Sequence, residues 1–224
     1  NWCAACQCRS WSPTVDKPHQ DAAWLNIDTP LAAAPLFEFA ADVERLFRLN
    51  PYLEILAWRS DQRHVKEGGR IHLKYLNEMN GVARELDITV SEFRPGVGYT
   101  LNYSEGLKRA TEIKVEAKGQ VAELLIRDWY HPVAEYPDET PQDRDARLTE
   151  VDRSLTPWGV AIRRHLIGLA RWNWLPFYRP LRERFWLTMA PRNRRISRLI
   201  IWITALEFFA FLFVFLIYWI ESRR

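Results

Sequence analysis

The 224-residue sequence predicts an α+β domain, an antiparallel sheet flanked by helices, followed by one long apolar helix. Three observations point there. Residues 55–130 alternate apolar and polar side chains between short turn signals, the pattern of a meander. Helical spacing appears on either side, in residues 35–50 and 156–174. Residues 199–220 are almost unbroken apolar sequence. At ~1.5 Å per residue that run reaches across a hydrocarbon core of roughly 30 Å.

Residues 1–23 lack periodicity and form an irregular lead-in; no basic segment precedes an apolar run, so a signal peptide is not expected. Residues 24–28 read as a short strand closed by Thr29-Pro30. Pro35 opens one helix in which Leu36, Phe39, Val43, Leu46 and Phe47 recur at helical spacing, and Asn50-Pro51 stops it. Residues 55–60 are the next strand. Gly68-Gly69 turns the chain into residues 70–77, where Ile71, Leu73 and Tyr75 alternate with His72 and Lys74. Asn80-Gly81 is a hairpin signal. Leu86, Ile88 and Val90 then oppose Glu85, Asp87 and Thr89. After Arg94-Pro95-Gly96, Val97, Tyr99, Leu101 and Tyr103 align, then Ile113 and Val115, and residues 121–133 are more apolar. These strands form a sheet with one apolar face, which must be covered.

The cover follows a polar loop at residues 135–150. Thr156-Pro157 opens a helix with Trp158, Ile162, Leu166 and Leu169 in one stripe. Pro176 and Pro180 interrupt it, because proline lacks the amide donor. A second helical piece at 181–189 leads to a basic collar. The expected units are 1–23, a domain at 24–175, a surface helix and collar at 176–198, the apolar helix at 199–220 and a tail at 221–224.

Strand, helix, curved sheet and long C-terminal helix, carried by IDTPLAAAPLFEFAADVERLFRLNPYLE, the strand-rich middle and LTPWGVAIRRHL, resemble the START-like (SRPBCC) superfamily. The likeness is nearest its polyketide cyclase/dehydrase-like and coenzyme-Q-binding-like branch, over about residues 24–175. It implies a helix-grip fold, a curved antiparallel sheet wrapped around a long C-terminal helix with an apolar cavity between them. The expected ligand-binding residues are Leu73, Tyr75, Leu86, Ile88, Tyr99, Leu101, Tyr103, Ile126 and Tyr130, opposite Ile162, Leu166 and Leu169. Tyrosines there combine ring contact with a hydroxyl for a polar ligand end. The alternative is plain core packing, since periodicity does not distinguish a core from a pocket.

For general acid–base chemistry the candidates are Glu92, Asp128 and His131, but no motif assigns a catalytic residue. No phosphate loop or nucleophile elbow appears, and binding is favoured over enzymatic activity. Neither cofactor nor metal is expected: Cys3, Cys6 and Cys8, even with His19, lack a second paired motif.

The net charge of +3 conceals an acid-rich stretch at 137–152 and an arginine-rich one at 163–198. A basic zone beside an apolar span fits anionic lipid, and no nucleic-acid signature accompanies it. Arg179, Arg182, Arg184, Trp186, Arg192, Arg194, Arg195 and Arg198 are the expected membrane-surface residues, whereas Trp158 is expected inside the domain. The larger basic cluster on the N-side of the span places the soluble domain in the cytoplasm, and a body without cysteine fits a reducing compartment. Glu207, with Thr204 on the same face, is a carboxyl inside the apolar run; it faces a partner membrane protein or stays neutral near an interface. The expected function is a membrane-anchored module holding a lipid, quinone or polyketide-like molecule. The alternatives are an accessory subunit of a membrane complex and a cyclase- or dehydratase-like enzyme acting on a membrane-derived substrate.

Overall fold

The computed structural model describes residues 22–79, 81–106, 108–131 and 140–223, leaving aside the side chains of residues 82 and 144–154. Among the described residues seven strands form one antiparallel sheet in the order β1-β7-β6-β5-β4-β3-β2. They are β1 (Ala22–Thr29), β2 (Leu53–Ser60), β3 (Arg70–Asn77), β4 (Val82–Arg94), β5 (Gly98–Tyr103), β6 (Lys108–Lys118) and β7 (Val121–Tyr130). The six strands from β2 onward form the expected meander, and β1 returns to pair with its last member. Thr29 helps hold that closure by donating its hydroxyl to the Ala122 carbonyl at 2.7 Å.

The alternation decides which way each strand faces. Ile71, Leu73, Leu86, Ile88, Val90, Leu101, Ile113, Val115, Leu124 and Ile126 are buried on the inner face. The outward residues pair across strands: His72 bonds Asp87 at 2.9 Å and Glu85 at 3.0 Å, and Lys74 reaches Glu85 at 3.0 Å. A one-residue slip would turn every one of these side chains to the wrong face. Bulges at Ile55/Ala57, Ser91/Arg94 and Lys108/Ala110 interrupt the register and bend the sheet. Val97, expected inside with Tyr99, sits in the turn before β5 and is exposed.

The helices depart from expectation in three places. The single helix expected from Pro35 is two, α1 (Ala33–Ala40) and α2 (Val43–Arg48). Asp42 leaves helical geometry and accepts the Arg45 amide at 3.1 Å, capping α2. The Ala41 carbonyl accepts the Val65 amide at 3.0 Å, so the break docks the β2–β3 connection.

The long cover helix α3 (Pro141–Trp172) starts well before Thr156-Pro157 and runs through Pro157. An earlier Thr-Pro pair is the true start: the Thr140 hydroxyl accepts the Asp143 amide at 3.2 Å and Pro141 takes the first turn. Pro157 then removes one intrahelical hydrogen bond, a loss that packing on either side of it offsets. Leu155, Trp158, Ile162 and Leu166 are buried, and Gly159 meets β1 so closely that a Cβ would lie 2.2 Å from the Leu25 Cδ2.

Past Trp172 come a helical turn, α4 (Tyr178–Pro180), and a π-helical turn (Leu181–Trp186). The basic collar is not a separate piece: α5 (Pro191–Glu221) carries it continuously into the apolar run. Among the described residues α5 is the one helix long and apolar enough to cross a membrane, with none of its most apolar stretch buried against the domain.

Candidate functional site

Register places a polar group inside an otherwise apolar grip. Across the inner face, Leu101 of β5 lies beside Thr111 of β6, and Thr111 beside Asp128 of β7. Thr111 and Asp128 are fully buried. The Thr111 hydroxyl donates to Asp128 Oδ1 at 2.6 Å, and Lys108 Nζ donates to Oδ2 at 2.5 Å. Tyr103 Oη lies 2.9 Å from Thr111 Oγ1. Thr111 has one proton, already given to Asp128, so Tyr103 donates to Thr111. Both carboxylate oxygens are thus engaged, and the Tyr103 oxygen keeps acceptor capacity for another group.

Burial, reinforced by the Asp128 charge, pushes the Tyr103 phenol far above its ordinary pKa, so it stays protonated. Burial raises Tyr75 as well, against an opposing pull from Arg84. Tyr99, fully enclosed and also raised by burial, donates to the Ala40 carbonyl. Lys108 is half-exposed, with its ammonium 5.9 Å from the ring centre of Trp158 of α3. Trp158 donates its indole N–H to the Leu46 carbonyl at 2.9 Å and meets Phe47 edge-on.

The candidate residues converge. Leu73, Leu86, Ile88, Tyr99, Leu101, Ile126, Ile162 and Leu166 belong to one buried cluster, with Tyr75 and Tyr103 packed at its margin. Tyr130 is buried outside that cluster and Leu169 is half-buried. The three acid–base candidates separate. Asp128 alone is in the network above. Glu92 lies at the β4 bulge with φ 54°, exposed, accepting the Thr100 hydroxyl at 3.0 Å. His131 follows the end of β7, half-buried. Cys3, Cys6, Cys8 and His19 lie outside the described residues.

Lys108 and Thr111 were missed by inspection of the sequence. Thr111 had a signal, because it continues the inward row of Ile113 and Val115 and matches Asp128 two residues beyond Ile126. Lys108 had none, since a bulge redirects it. A cleft also went unread: about 190 Å³ at the β2–β3 connection, lined by Val43, Trp58, Val65, Ile71 and Val90 together with Arg63, His64, Lys66 and Glu67.

The arginines ahead of the apolar run divide. Arg182 turns inward and donates to His165 Nδ1 at 2.9 Å, and Glu183 pairs with Arg45 of α2 at 3.3 Å. Because Nδ1 accepts, the proton of the neutral, fully buried His165 sits on Nε2, and burial, with Arg182 and Arg45 nearby, lowers its pKa to about 3. Arg195 bonds Glu78 and the Pro51 carbonyl, and Arg194 is buried. Arg184, Arg192 and Arg198 are exposed, as is Arg179, which pairs with Glu183; Trp186 is half-buried. Thr204 and Glu207 are exposed on α5.

No protein-family model and no curated protein matches the sequence. Solved structures do. The di-domain ARO/CYC protein StfQ from the steffimycin biosynthetic pathway superimposes with a TM-score of 0.52 at 11% identity, covering 67% of this chain and 51% of StfQ. The chain thus matches about half of that di-domain protein. KanY superimposes at 0.50 with 13% identity, covering 67% of this chain and 100% of KanY. The chain has the helix-grip fold. The Polyketide_cyc-like protein Cgl2372 from Corynebacterium glutamicum also matches, at 0.48 and 14% identity over 69% of this chain and 96% of its own. At such identities the likeness concerns the helix-grip fold alone. In this grip the polar network of β5–β7 lies on the sheet face that α1, α2 and α3 cover.

Proposed function

We propose that the protein is a membrane-tethered helix-grip module that holds a hydrophobic small molecule (a lipid, quinone or polyketide-like compound) against the inner face of its sheet. The carrying observation is the Tyr103–Thr111–Asp128–Lys108 network set among apolar side chains. It offers one polar anchor in an interior that otherwise favours apolar contact, the usual composition of a ligand site. Apolar burial contributes roughly 25 cal/mol per Å², and the anchor orients the ligand. Asp128 is fully engaged and Tyr103 stays protonated, which supports binding over acid–base catalysis.

In this reading α5 crosses the bilayer and keeps the grip near membrane-derived ligand, raising its effective concentration. The larger arginine cluster before the span favours a cytoplasmic domain. Mass spectrometry of organic extracts from the full chain, purified in mild detergent, is expected to find a stoichiometric hydrophobic compound. Tyr103→Phe should weaken its retention about tenfold with little change in melting temperature. Extracts without such a compound would overturn the binding function.

A second reading, an accessory subunit of a membrane complex, is favoured by Glu207, whose exposed carboxyl shares a face with Thr204 inside the apolar helix. Glu207→Leu would then release a co-purifying protein partner.

A further inference from the structure

Where the domain meets α5, the structure leaves a positive charge without a counterpart. Arg194 is 9% exposed. Its Nε–H is buried and has no hydrogen-bond partner among the described residues. Its neighbours deepen the imbalance: Arg48, Arg195 and Arg198 all act on it as like charges, against Glu78. Glu78 is already held by the Arg195 guanidinium and by the Arg192 amide at 3.1 Å, and Arg48 is paired with Glu44 at 2.7 Å. A buried guanidinium without an anion carries a desolvation penalty.

Arg194 and Arg48 line one cleft of about 60 Å³ between β2 and the start of α5, with Leu187, Thr188 and Ala190. The same place is the N-terminus of a 31-residue helix, where Glu78 already accepts the Arg192 amide. The helix dipole still favours negative charge there. Two guanidiniums at one cleft suit a tetrahedral oxyanion with several acceptor oxygens better than a single carboxylate. Glu54 also lines the cleft and opposes an anion without pairing with Arg194.

We propose that this junction is a phosphate-binding site in which Arg194 and Arg48 grip the group beside the start of α5. The phosphate belongs to an anionic phospholipid headgroup or is free in solution. Arg194 precedes Leu199, where the apolar run begins, by about five residues, or ~7.5 Å of helix. That matches the headgroup layer, roughly 5–8 Å deep on each side of the hydrocarbon. The lipid source rests on α5 crossing a membrane; the free-phosphate source does not.

The test uses the full chain in uncharged detergent micelles, titrated calorimetrically with inorganic phosphate and, separately, with dihexanoyl phosphatidic acid. Saturable one-site binding is expected. Arg194→Lys, which keeps the charge and loses the fork, should weaken it about tenfold. Glu54→Gln should tighten it, and Arg171→Gln, an exposed change on α3, should leave it unaltered. Equal binding of both probes identifies free phosphate as sufficient; binding of phosphatidic acid alone identifies a headgroup. If Arg194→Lys does not fold, Arg48→Lys makes the same comparison. Saturation by neither probe, or equal weakening by Arg171→Gln, overturns the site. Partition of the chain into purely zwitterionic vesicles tests the membrane reading independently.

Discussion

Helices α3 and α5 are nearly equal in length, 32 and 31 residues, and sit in opposite surroundings. The first buries a narrow stripe (Leu155, Trp158, Ile162, Leu166) and turns Val160 and Ile167 outward. The second is apolar all round and exposes Trp202, Leu206, Phe209 and Phe213 alike. A helix with one apolar face needs a sheet; a helix apolar on every face needs an apolar solvent. The polar groups follow the same division. In the grip, Thr111 and Asp128 satisfy each other across paired strands. At the root of α5, Arg194 is buried without such a partner. The Thr111–Asp128 pair of the grip is satisfied internally, whereas the Arg194 Nε–H of the junction is not.

The largest effect is expected from giving α5 what α3 tolerates. Leu206→Arg with Phe213→Arg should cost about 2.5–3.5 kcal/mol each on insertion scales and move the chain out of the carbonate-resistant membrane fraction. Val160→Arg on the open face of α3 should leave partition and melting nearly unchanged. Unaltered partition of the double variant would remove the membrane reading of α5.

Next is Trp158→Ala. It removes a buried ring, its edge contact with Phe47 and its bond to Leu46, and should lower stability by about 3–5 kcal/mol in urea unfolding. Trp202→Ala, on the exposed part of α5, should barely move the domain's transition. Gly159→Ala is expected to cost about 1–3 kcal/mol by overpacking. The new Cβ would fall 2.2 Å from the Leu25 Cδ2, and a second change, Leu25→Ala, should recover part of the loss. Additive losses would show that the close approach is not the cause.

Per pH unit, the effect of acid is smaller. His165 is held neutral, with its pKa lowered to about 3. Between that value and the ordinary ~6.5 the unfolded chain binds the extra proton, so stability falls as pH falls through this window. The slope is at most about 1.4 kcal/mol per pH unit, and His165→Phe should flatten it in denaturation measured from pH 6.5 to 4. The same slope in both proteins would assign the acid sensitivity elsewhere.

Much of the sheet was legible because period-two alternation is local: Ile71, Leu73, Leu86 and Ile88 face inward where the pattern puts them. The helix boundaries were less so. Thr140-Pro141 and Thr156-Pro157 are equivalent start signals; the helix begins at the first and carries Pro157 mid-helix, with Gly159 packed on β1 beyond it. The break at Asp42 was hidden for the same reason, because residues 35–50 keep one apolar period through it. Of the site, Asp128 was visible as an acid in an apolar row, whereas Lys108 reaches it only through a bulge.

The sequence by itself determined the strand faces, the order of elements and the almost unbroken apolar character of residues 199–220, since each depends on residues close in the chain. Tertiary structure decided which helix start prevails, which polar groups meet across β5–β7, and that Arg194 is buried while Arg198 is exposed. Those outcomes depend on contacts between segments far apart in sequence, and no local pattern encodes the direction of a long side chain or the partner it finds.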